Sequence, residues 1–592
     1  MSQHSRLSRR QFLQVSGTIG VTTLLAACTP SGATAPPAST EAAQPAEPYT
    51  GSIEELLGSD MPGSPDHPKG WTTVLPDLPN GLPPSPDAEP IQISTTRRVD
   101  AQTSFPEGDS LENNVYSRMI QKLFGVQFTV AWTWSTNDEA ISKYNLAMAS
   151  GDLPDYLETI PATIFVKMVE ANLLADITDA YETYASQRWK DSWAKYGELP
   201  WTYTKINGRI YGLPRVEDLA HNDNILWYRK DWFDALGLAV PETMDELHDV
   251  AMAIVEAEIG KGAPGTTIGL LANLDYEHTW FGSLDPIWAP YGVVPDHWSE
   301  VDGQLVFDGV REEMKEPLAL LNQWYQDGIF RQDFFTLNTS DSIQDIAAST
   351  CGIHFTPSWG AWLDTVQNDP ETVWAFANIP AAANGVRARH TENNFRDSPF
   401  AFRSGFEHID KIFTITNWLQ ELTEDYDRRF HGWEGGDYVW DGDQVLGGDH
   451  GWMSMAPGPI GTRGSGMIDP EHIGNQIRYQ LEEWGDIPAD QRDAFQTLSL
   501  EDPTGVQILS KESRLFILET ADLGKITAFQ SLPTPTMVER QVDLDKIRDE
   551  TILGIIIGER PMSAFDDYVE QWKSLGGEQV TQEVNEWWAS RA

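Results

Sequence analysis

The run Val126-Gln127-Phe128-Thr129-Val130-Ala131-Trp132 sets the architecture, because apolar and polar side chains alternate along it as on a strand. Leu111 to Phe124 before it and Asp138 to Ala149 after it have helical patterning. Ile91-Gln92-Ile93-Ser94 supplies a shorter alternating stretch where order should begin. The resulting β-α-β-α run predicts an α/β fold. The same logic continues downstream. Lys230 to Leu236 is a short helix stopped by Gly237, and Thr243 with Glu246 three residues on is a capping box opening the next helix. Pro317 should start or kink the helical run from Arg311 to Tyr325. Ile412, Ile415 and Leu419 share one helix face, as do Phe565, Tyr568, Val569 and Trp572 before a stop at Gly576-Gly577. No fixed repeat of roughly 20 to 50 residues is present, which argues against a solenoid or a propeller.

Ahead of this body stand two segments of different chemistry. Residues 1–27 carry Ser8-Arg9-Arg10-Gln11-Phe12-Leu13, an apolar run from Val15 to Ala27, and then Leu25-Ala26-Ala27-Cys28. The apolar run is too short for a permanent membrane helix and reads as a signal peptide. The arginine pair resembles the twin-arginine signal, which exports folded cargo. Leu-Ala-Ala-Cys resembles the bacterial lipobox, whose cysteine is acylated and becomes the first residue after cleavage. The alternative is an ordinary cleaved signal with an accidental cysteine. Lipidation of Cys28 would tether the protein to the outer face of the cell membrane. From Cys28 to residue 90 the chain is rich in Pro, Ala, Ser, Thr and Gly, as in Ala35-Pro36-Pro37-Ala38-Ser39-Thr40, and is expected to be a flexible spacer. Residues 91–592 form the body.

The chain has 592 residues and a formal net charge of -48. Removing residues 1–27 takes away Arg6, Arg9 and Arg10 and no acid, making the mature chain about three charges more negative. Such a surface repels nucleic acid and anionic lipid headgroups, so nucleic-acid partners are excluded and the lipid, not charge, is expected to hold the membrane. With Cys28 modified, Cys351 stands alone and no disulfide can form within the mature chain.

Catalytic signatures are missing: His-Glu-x-x-His, Cys-x-x-Cys, Gly-x-Ser-x-Gly and Gly-x-x-x-x-Gly-Lys do not occur. The glycine cluster Gly458, Gly461, Gly464 and Gly466 lacks a following lysine and reads as a surface loop. Among 89 acids some pair must lie close enough for glycoside hydrolysis, but the sequence does not choose one. Tryptophan is abundant, with 23 residues, several beside Gly, Pro and Ser: Thr279-Trp280-Phe281-Gly282, Pro357-Ser358-Trp359-Gly360-Ala361-Trp362, Gly432-Trp433-Glu434-Gly435 and Gly451-Trp452-Met453. A sugar ring has an apolar CH face and a hydroxyl rim, so its site needs flat aromatic platforms with carboxylates, amides and arginines at the edges. Each tryptophan could equally fill a core, and Trp374 and Trp418 are expected there.

Several stretches resemble the family 1 extracellular solute-binding proteins, the lipoprotein receptors of carbohydrate ABC importers. The carriers are Lys143-Tyr144-Asn145-Leu146-Ala147-Met148-Ala149-Ser150-Gly151-Asp152-Leu153-Pro154-Asp155, Asn172 to Tyr181, Ile206 to Pro214 and Trp227-Tyr228-Arg229-Lys230-Asp231-Trp232. Pro533-Thr534-Pro535-Thr536-Met537 and Phe565 to Asn585 complete the series. The resemblance implies an α/β, two-lobed periplasmic-binding-protein-like (type II) fold with a hinge and an interlobe ligand cleft. Lobe 1 would span roughly 91–210 plus 381–430, and lobe 2 roughly 211–380 plus part of 431–592. It also implies capture of a carbohydrate, expected to be an oligosaccharide, by hinge closure and its delivery to an ABC permease by a monomeric, non-enzymatic protein without a cofactor. Trp280, Phe281, Trp359, Trp362 and Trp433 are the candidate stacking platforms, and Arg98, Asp155 and Arg215 the candidate polar rim. Asp155 is expected near a strand's carboxyl end, where open α/β sheets take ligands. Some relatives hold calcium in an Asp/Asn-Gly loop, where this chain reads Glu256-Ala257-Glu258-Ile259-Gly260-Lys261-Gly262; no metal is expected there. The competing reading is an exported glycoside hydrolase, and a third is a receptor for another solute such as a peptide.

Overall fold

The computed structural model describes residues 55–56, 89–99, 110–216, 222–273, 281–360, 365, 368–391, 395–421, 438–441, 444–447 and 506–591. Cys28, most of the spacer, Trp280, Trp362, Trp433 and the glycine cluster lie outside them. Glu47–Ala592 is one compact unit.

Within that unit the strands gather into two main sheets. The first contains β1 (Ile91–Arg98), β2 (Val126–Trp134), β3 (Tyr156–Leu157), β4 (Gly212–Val216) and a strand from much later in the chain, Phe395–Phe402. The second contains β5 (Ile225–Arg229), β6 (Ile268–Leu270), β7 (Cys351–Thr356) and β8 (Trp374–Ala377). A two-residue strand, β9 (Arg389–His390), precedes the late strand Phe395–Phe402, which becomes β10, and pairs with β11 (Gly524–Lys525). The first sheet runs β2-β1-β3-β10-β4 and the second β8-β5-β7-β6. β1 is parallel to β2 and β3, while β10 is antiparallel to both β3 and β4. In the second sheet β7 is parallel to β6, and β5 is antiparallel to both β7 and β8. Each sheet thus has one reversed strand, and in each it is the strand laid down just after the chain arrives from the other sheet.

Both sheets are covered on both faces, as mostly parallel sheets must be. Neighbouring residues of one strand point to opposite faces. Tyr156 joins a cluster with Ile93, Ile120, Leu123, Phe128, Trp189 and Phe413, while Leu157 joins another with Tyr144, Ile164, Phe165 and Met168. The first cluster draws on α1 (Val115–Phe124), the short helix Gln187–Ala194 and the helix Ile409–Glu421, and the second, on the opposite face, on α2 (Asn137–Ser150) and α3 (Ala162–Glu170). In the second sheet Leu226 and Tyr228 pack with α4 (Lys230–Leu236), α5 (Met244–Ala257) and α6 (Lys315–Asp327), whereas Ile225 and Trp227 face Ile268, Phe281 and Ile517. Counting Ile409–Glu421 as α7 and Val506–Glu519 as α8, the chain closes with α9 (Pro535–Ile556), α10 (Ala564–Trp572) and α11 (Glu578–Ala589). These last three helices place Leu544, Ile552, Phe565, Trp572 and Val584 in the second sheet's core.

Local signals act as expected. Thr243 and Glu246 form the capping box of α5 with both hydrogen bonds in place, Gly237 ends α4 in the left-handed region at φ 67°, and Pro317 sits in the first turn of α6. Gly576, at φ 131°, lies in the wide turn between α10 and α11, a backbone conformation that side chains disfavour. Cys351 is buried and burial pushes its thiol well above the ordinary value.

The pairing register fixes how the sheets are joined. β4 ends at Val216, which pairs with Phe395, the start of β10. Both therefore sit at the carboxyl end of the parallel strands of the first sheet. In the second sheet β5 starts at Ile225 opposite Thr356, the last residue of β7, and β8 ends at Ala377 opposite Leu226. The chain thus makes two connections between the carboxyl edges, one leaving at Val216 and arriving at Ile225, the other leaving at Ala377 and arriving at Phe395. The exchange of sheets comes after β4, a few residues beyond 210, and the return comes after β8 and β9.

The connections are tied to each other. Arg389, wholly buried, donates from Nε to Asp223 Oδ2 at 2.9 Å, and Thr391 Oγ1 donates to Asp223 Oδ1 at 2.5 Å. The Arg389 Nη2 group donates to the carbonyls of Ile517 and Thr520, each at 3.0 Å, closing the carboxyl end of α8 as a cation does favourably.

Candidate functional site

Open α/β sheets take ligands beyond the carboxyl ends of their strands, so the two joined edges define the candidate site. On the first edge β1 ends in Thr96-Arg97-Arg98 and β2 in Trp132-Thr133-Trp134. Ala131 is an extra residue in β2: Thr95 pairs with Val130 but Thr96 pairs with Trp132. Such a bulge twists the strand end and re-aims its side chains. Trp132 is left half-buried, its ring edge-on to Tyr144 at 4.7 Å and 5.7 Å from that of Trp134.

Beneath this surface lies a buried polar support. Arg97 Nη1 reaches both oxygens of Glu158 at 2.9 and 2.8 Å, with both side chains almost wholly buried. Tyr144 Oη donates to the Glu158 carbonyl at 2.5 Å and lies 3.2 Å from Thr96 Oγ1, which accepts from the Glu158 backbone N–H at 3.1 Å. Burial raises the Glu158 carboxyl to about 6 even though Arg97 pulls it down. The support holds β1, α2 and the turn after β3 in one arrangement, and leaves Arg98 exposed at the rim.

On the second edge, β7 runs into the turn Pro357-Ser358-Trp359-Gly360. Trp227 Nε1 donates to the Pro357 carbonyl at 2.9 Å, the Gly360 N–H donates to the same oxygen at 3.1 Å, and Ser513 Oγ donates to the Ser358 carbonyl at 3.0 Å. A side chain at Gly360 would meet the Trp227 ring at 2.4 Å, so glycine is what lets this turn close over the indole. Trp359 is half-buried, one side against the cluster of Trp227, Phe281 and Phe376. After β6, Asn273 donates to the Phe281 carbonyl at 2.7 Å and to Ser342 Oγ at 3.0 Å.

The expected site residues divide accordingly. Arg98, Arg215 and Trp359 fall on the carboxyl edges: Arg98 ends β1, Arg215 is the penultimate residue of β4, and Trp359 follows β7. Phe281 is buried, 2% exposed, and its ring is part of the second sheet's core. Asp155 stands at the amino end of the short β3 rather than at a carboxyl end. It accepts from Ser94 N at 3.0 Å, Ser94 Oγ at 2.7 Å and Arg403 Nη2 at 2.6 Å, so it joins β1, β3 and the chain after β10. Burial pushes its carboxyl up, but Ser94 and Arg403 outweigh that and hold it below the usual range. Trp374 is buried as core. Trp132, Trp134 and the Arg97–Glu158 pair were not anticipated as site residues; the alternation Phe128, Val130, Trp132, continued to Trp134, was the signal that an aromatic pair stands at a strand's end.

A family profile described as bacterial extracellular solute-binding protein matches residues 118–397. The polygalacturonan/rhamnogalacturonan-binding protein YtcQ of Bacillus subtilis is 23% identical over 479 residues, covering 79% of this chain and 86% of its own. The lipoprotein LipO of Bacillus subtilis is 22% identical over 514 residues, covering 84% of this chain and 92% of its own. Among solved structures, the Streptococcus pneumoniae ABC-transporter substrate-binding protein FusA in complex with kestose aligns with a TM-score of 0.61 at 15% identity, over 84% of this chain and 99% of that one. Two sheets joined twice at their carboxyl edges, each with its reversed strand, are the α/β periplasmic-binding fold those comparisons share, and residues 118–397 of the chain match the bacterial extracellular solute-binding proteins.

Proposed function

We propose that the protein captures an oligosaccharide between the two sheet edges and delivers it to an ABC permease. The observation that carries this reading is the convergence of both connections on the carboxyl edges, with Trp132 and Arg98 at one edge and Trp359 at the other. Half-buried indoles suit the CH faces of sugar rings, and Arg98 and Arg215 suit hydroxyl or carboxylate groups at the ring edge. The relatives point the same way: one is named for binding polygalacturonan and rhamnogalacturonan, and another was solved with kestose. Trp280 and Trp362, in the sequences following β6 and β7, and Trp433 are proposed as further platforms. Asp155 acts on the rim through Ser94 and Arg403.

Closure follows from population shift: a sugar that touches both edges only when they approach stabilises the approached state, and the permease recognises that state. The hinge is the pair of connections stapled by Arg389 and Asp223. The relatives are substrate-binding proteins, and capture by this chain requires no bond to break. Proteins of this family work outside the cytoplasm; anchoring through lipidated Cys28, export by the twin-arginine route and a monomeric state are part of the proposal, supported by the signal and lipobox sequences and by the lipoprotein relative.

The test is a thermal-shift screen against neutral and acidic oligosaccharides, with reducing-end assays on every hit. A stabilising sugar recovered unchanged is the expected result. A sugar that is consumed would establish the glycoside hydrolase instead, and a peptide that stabilises where every sugar fails would establish a receptor of another class.

A further inference from the structure

Among the described residues, Asp296, His297 and His390 bring one ligand atom each to within 4.8 Å of one another. They come from distant parts of the chain. Asp296 and His297 lead into the strand Trp298–Val301, and His390 is the second residue of β9, where the chain leaves the second sheet to return to the first. The two imidazole rings lie 4.6 Å apart between centroids, inclined by 49°, and Asp296 Oδ1 is 3.9 Å from His297 Nε2. Both histidines are buried, 4% and 7% exposed, while Asp296 is at the surface, so the group has one open side.

The backbone holds both histidines in place. His297 N–H donates to the Val294 carbonyl at 2.9 Å and its own carbonyl accepts from Asp308 N–H at 2.8 Å. His390 N–H donates to Asp285 Oδ2 at 2.7 Å, and its strand neighbour Arg389 points the other way, into the Asp223 staple. On α9, Asp545 has its carboxyl raised by burial first and then by the charges of Asp549 and Asp296, with Arg548 opposing from 3.1 Å.

We propose that Asp296, His297 and His390 bind a divalent transition-metal ion of the zinc class. Two imidazoles and one carboxylate are a borderline-soft set, suited to zinc, nickel or copper and unsuited to calcium or magnesium, which want oxygen ligands. Tetrahedral zinc places ligand atoms about 3.3–3.5 Å apart, from bonds of about 2.0–2.1 Å. Separations of up to 4.8 Å exceed that spacing by at most about 1.5 Å, a distance that small side-chain rotations close. Water occupies the remaining position on the open side. The ion would pin the returning connection to the second sheet at the hinge, through residues other than the candidate sugar contacts and outside the loop at 256–262. The site is independent of the carbohydrate reading.

The test is zinc titration of the untagged, chelator-treated full chain, read by competition with a chromophoric chelator. Wild type is expected to bind one equivalent with a Kd at or below about 1 µM, and His297→Gln, His390→Gln and Asp296→Asn each to weaken it about 10-fold or more. Asp296 is exposed, so D296N reports on ligation without disturbing the core, and near-UV circular dichroism confirms that each variant keeps its packing. Calcium and magnesium at the same concentrations should leave the signal unchanged. A wild-type Kd weaker than about 100 µM, or D296N and H297Q variants that bind zinc as wild type does, would overturn the assignment.

Discussion

Removing the charge of Asp223 should loosen the hinge, and the size of the effect can be worked from its surroundings. Asp223 and Arg389 have side chains 1% and 0% exposed and meet at 2.9 Å. Asp223→Asn keeps the shape and one accepting oxygen but leaves a buried guanidinium without its counter-charge. Breaking one partner of a buried pair costs about 3–5 kcal/mol, and the remaining bonds of Arg389 to Ile517, Thr520 and the new amide place this variant near 3. Unfolding entropy of about 2.1 cal/mol/K per residue over the roughly 550 residues of the compact unit is about 1.1 kcal/mol/K, so the main calorimetric transition should fall by about 3 °C. Because the pair is buried, the loss should be the same in low and high salt. The double variant Asp223→Leu with Arg389→Leu should recover part of it, since an apolar pair carries no stranded charge. A D223N transition within 0.5 °C of wild type, or one restored by lowering the ionic strength, would show that the staple does not hold the connections.

Other expectations follow from the same geometry. Trp132→Ala and Trp359→Ala should each weaken sugar binding about 10-fold, about 1.4 kcal/mol, in calorimetric titration, while Trp374→Phe should leave affinity unchanged and lower only stability. Gly360→Ala forces a methyl against the Trp227 ring and should cost about 1–3 kcal/mol in denaturant unfolding while weakening the sugar through the displaced Trp359. Because Glu158 is raised from 4.5 to about 6 in the folded state, the folded protein holds its proton more tightly than the unfolded chain does. Its contribution is full below pH 4.5 and is lost as pH rises through 6, so the stability of wild type relative to Glu158→Gln should fall by about 2 kcal/mol between pH 4 and pH 7. Thr243→Ala removes the capping hydrogen bond to Glu246 and should cost about 1 kcal/mol of stability without changing sugar affinity.

Much of this architecture was legible in residue order. Period-two alternation found β1 and β2, and the Thr243–Glu246 box and Gly237 found helix ends, because those signals are local and the chain settles them within a turn. The site was legible only in part. Arg98 and Trp359 stand beside strand ends that the alternation marks. Phe281 sits in an equally loop-like Trp-Phe-Gly context, yet its ring packs with Ile268, Trp227 and Ile517, partners contributed from up to hundreds of residues away. Asp155 shows the same limit: its helix-ending turn is visible, but its partners Ser94 and Arg403 are set by pairing across the whole first sheet. The reversed strands β5 and β10 carry no local mark of their direction, which comes from where the chain crosses, and the cluster at His297 and His390 exists only because β9 returns beside the strand at Trp298.

That interleaving also sets the order of events as the chain is made. β3 leaves the ribosome with one edge unpaired, and its partner β10 is complete only roughly 245 residues later, about 12–50 s at ordinary synthesis rates. Until then one edge of β3 and the paired edge of β4 have no strand to hydrogen-bond to. Half-made chains must wait for their own ends, and a fragment stopping at β8 has no route to a native first sheet at all.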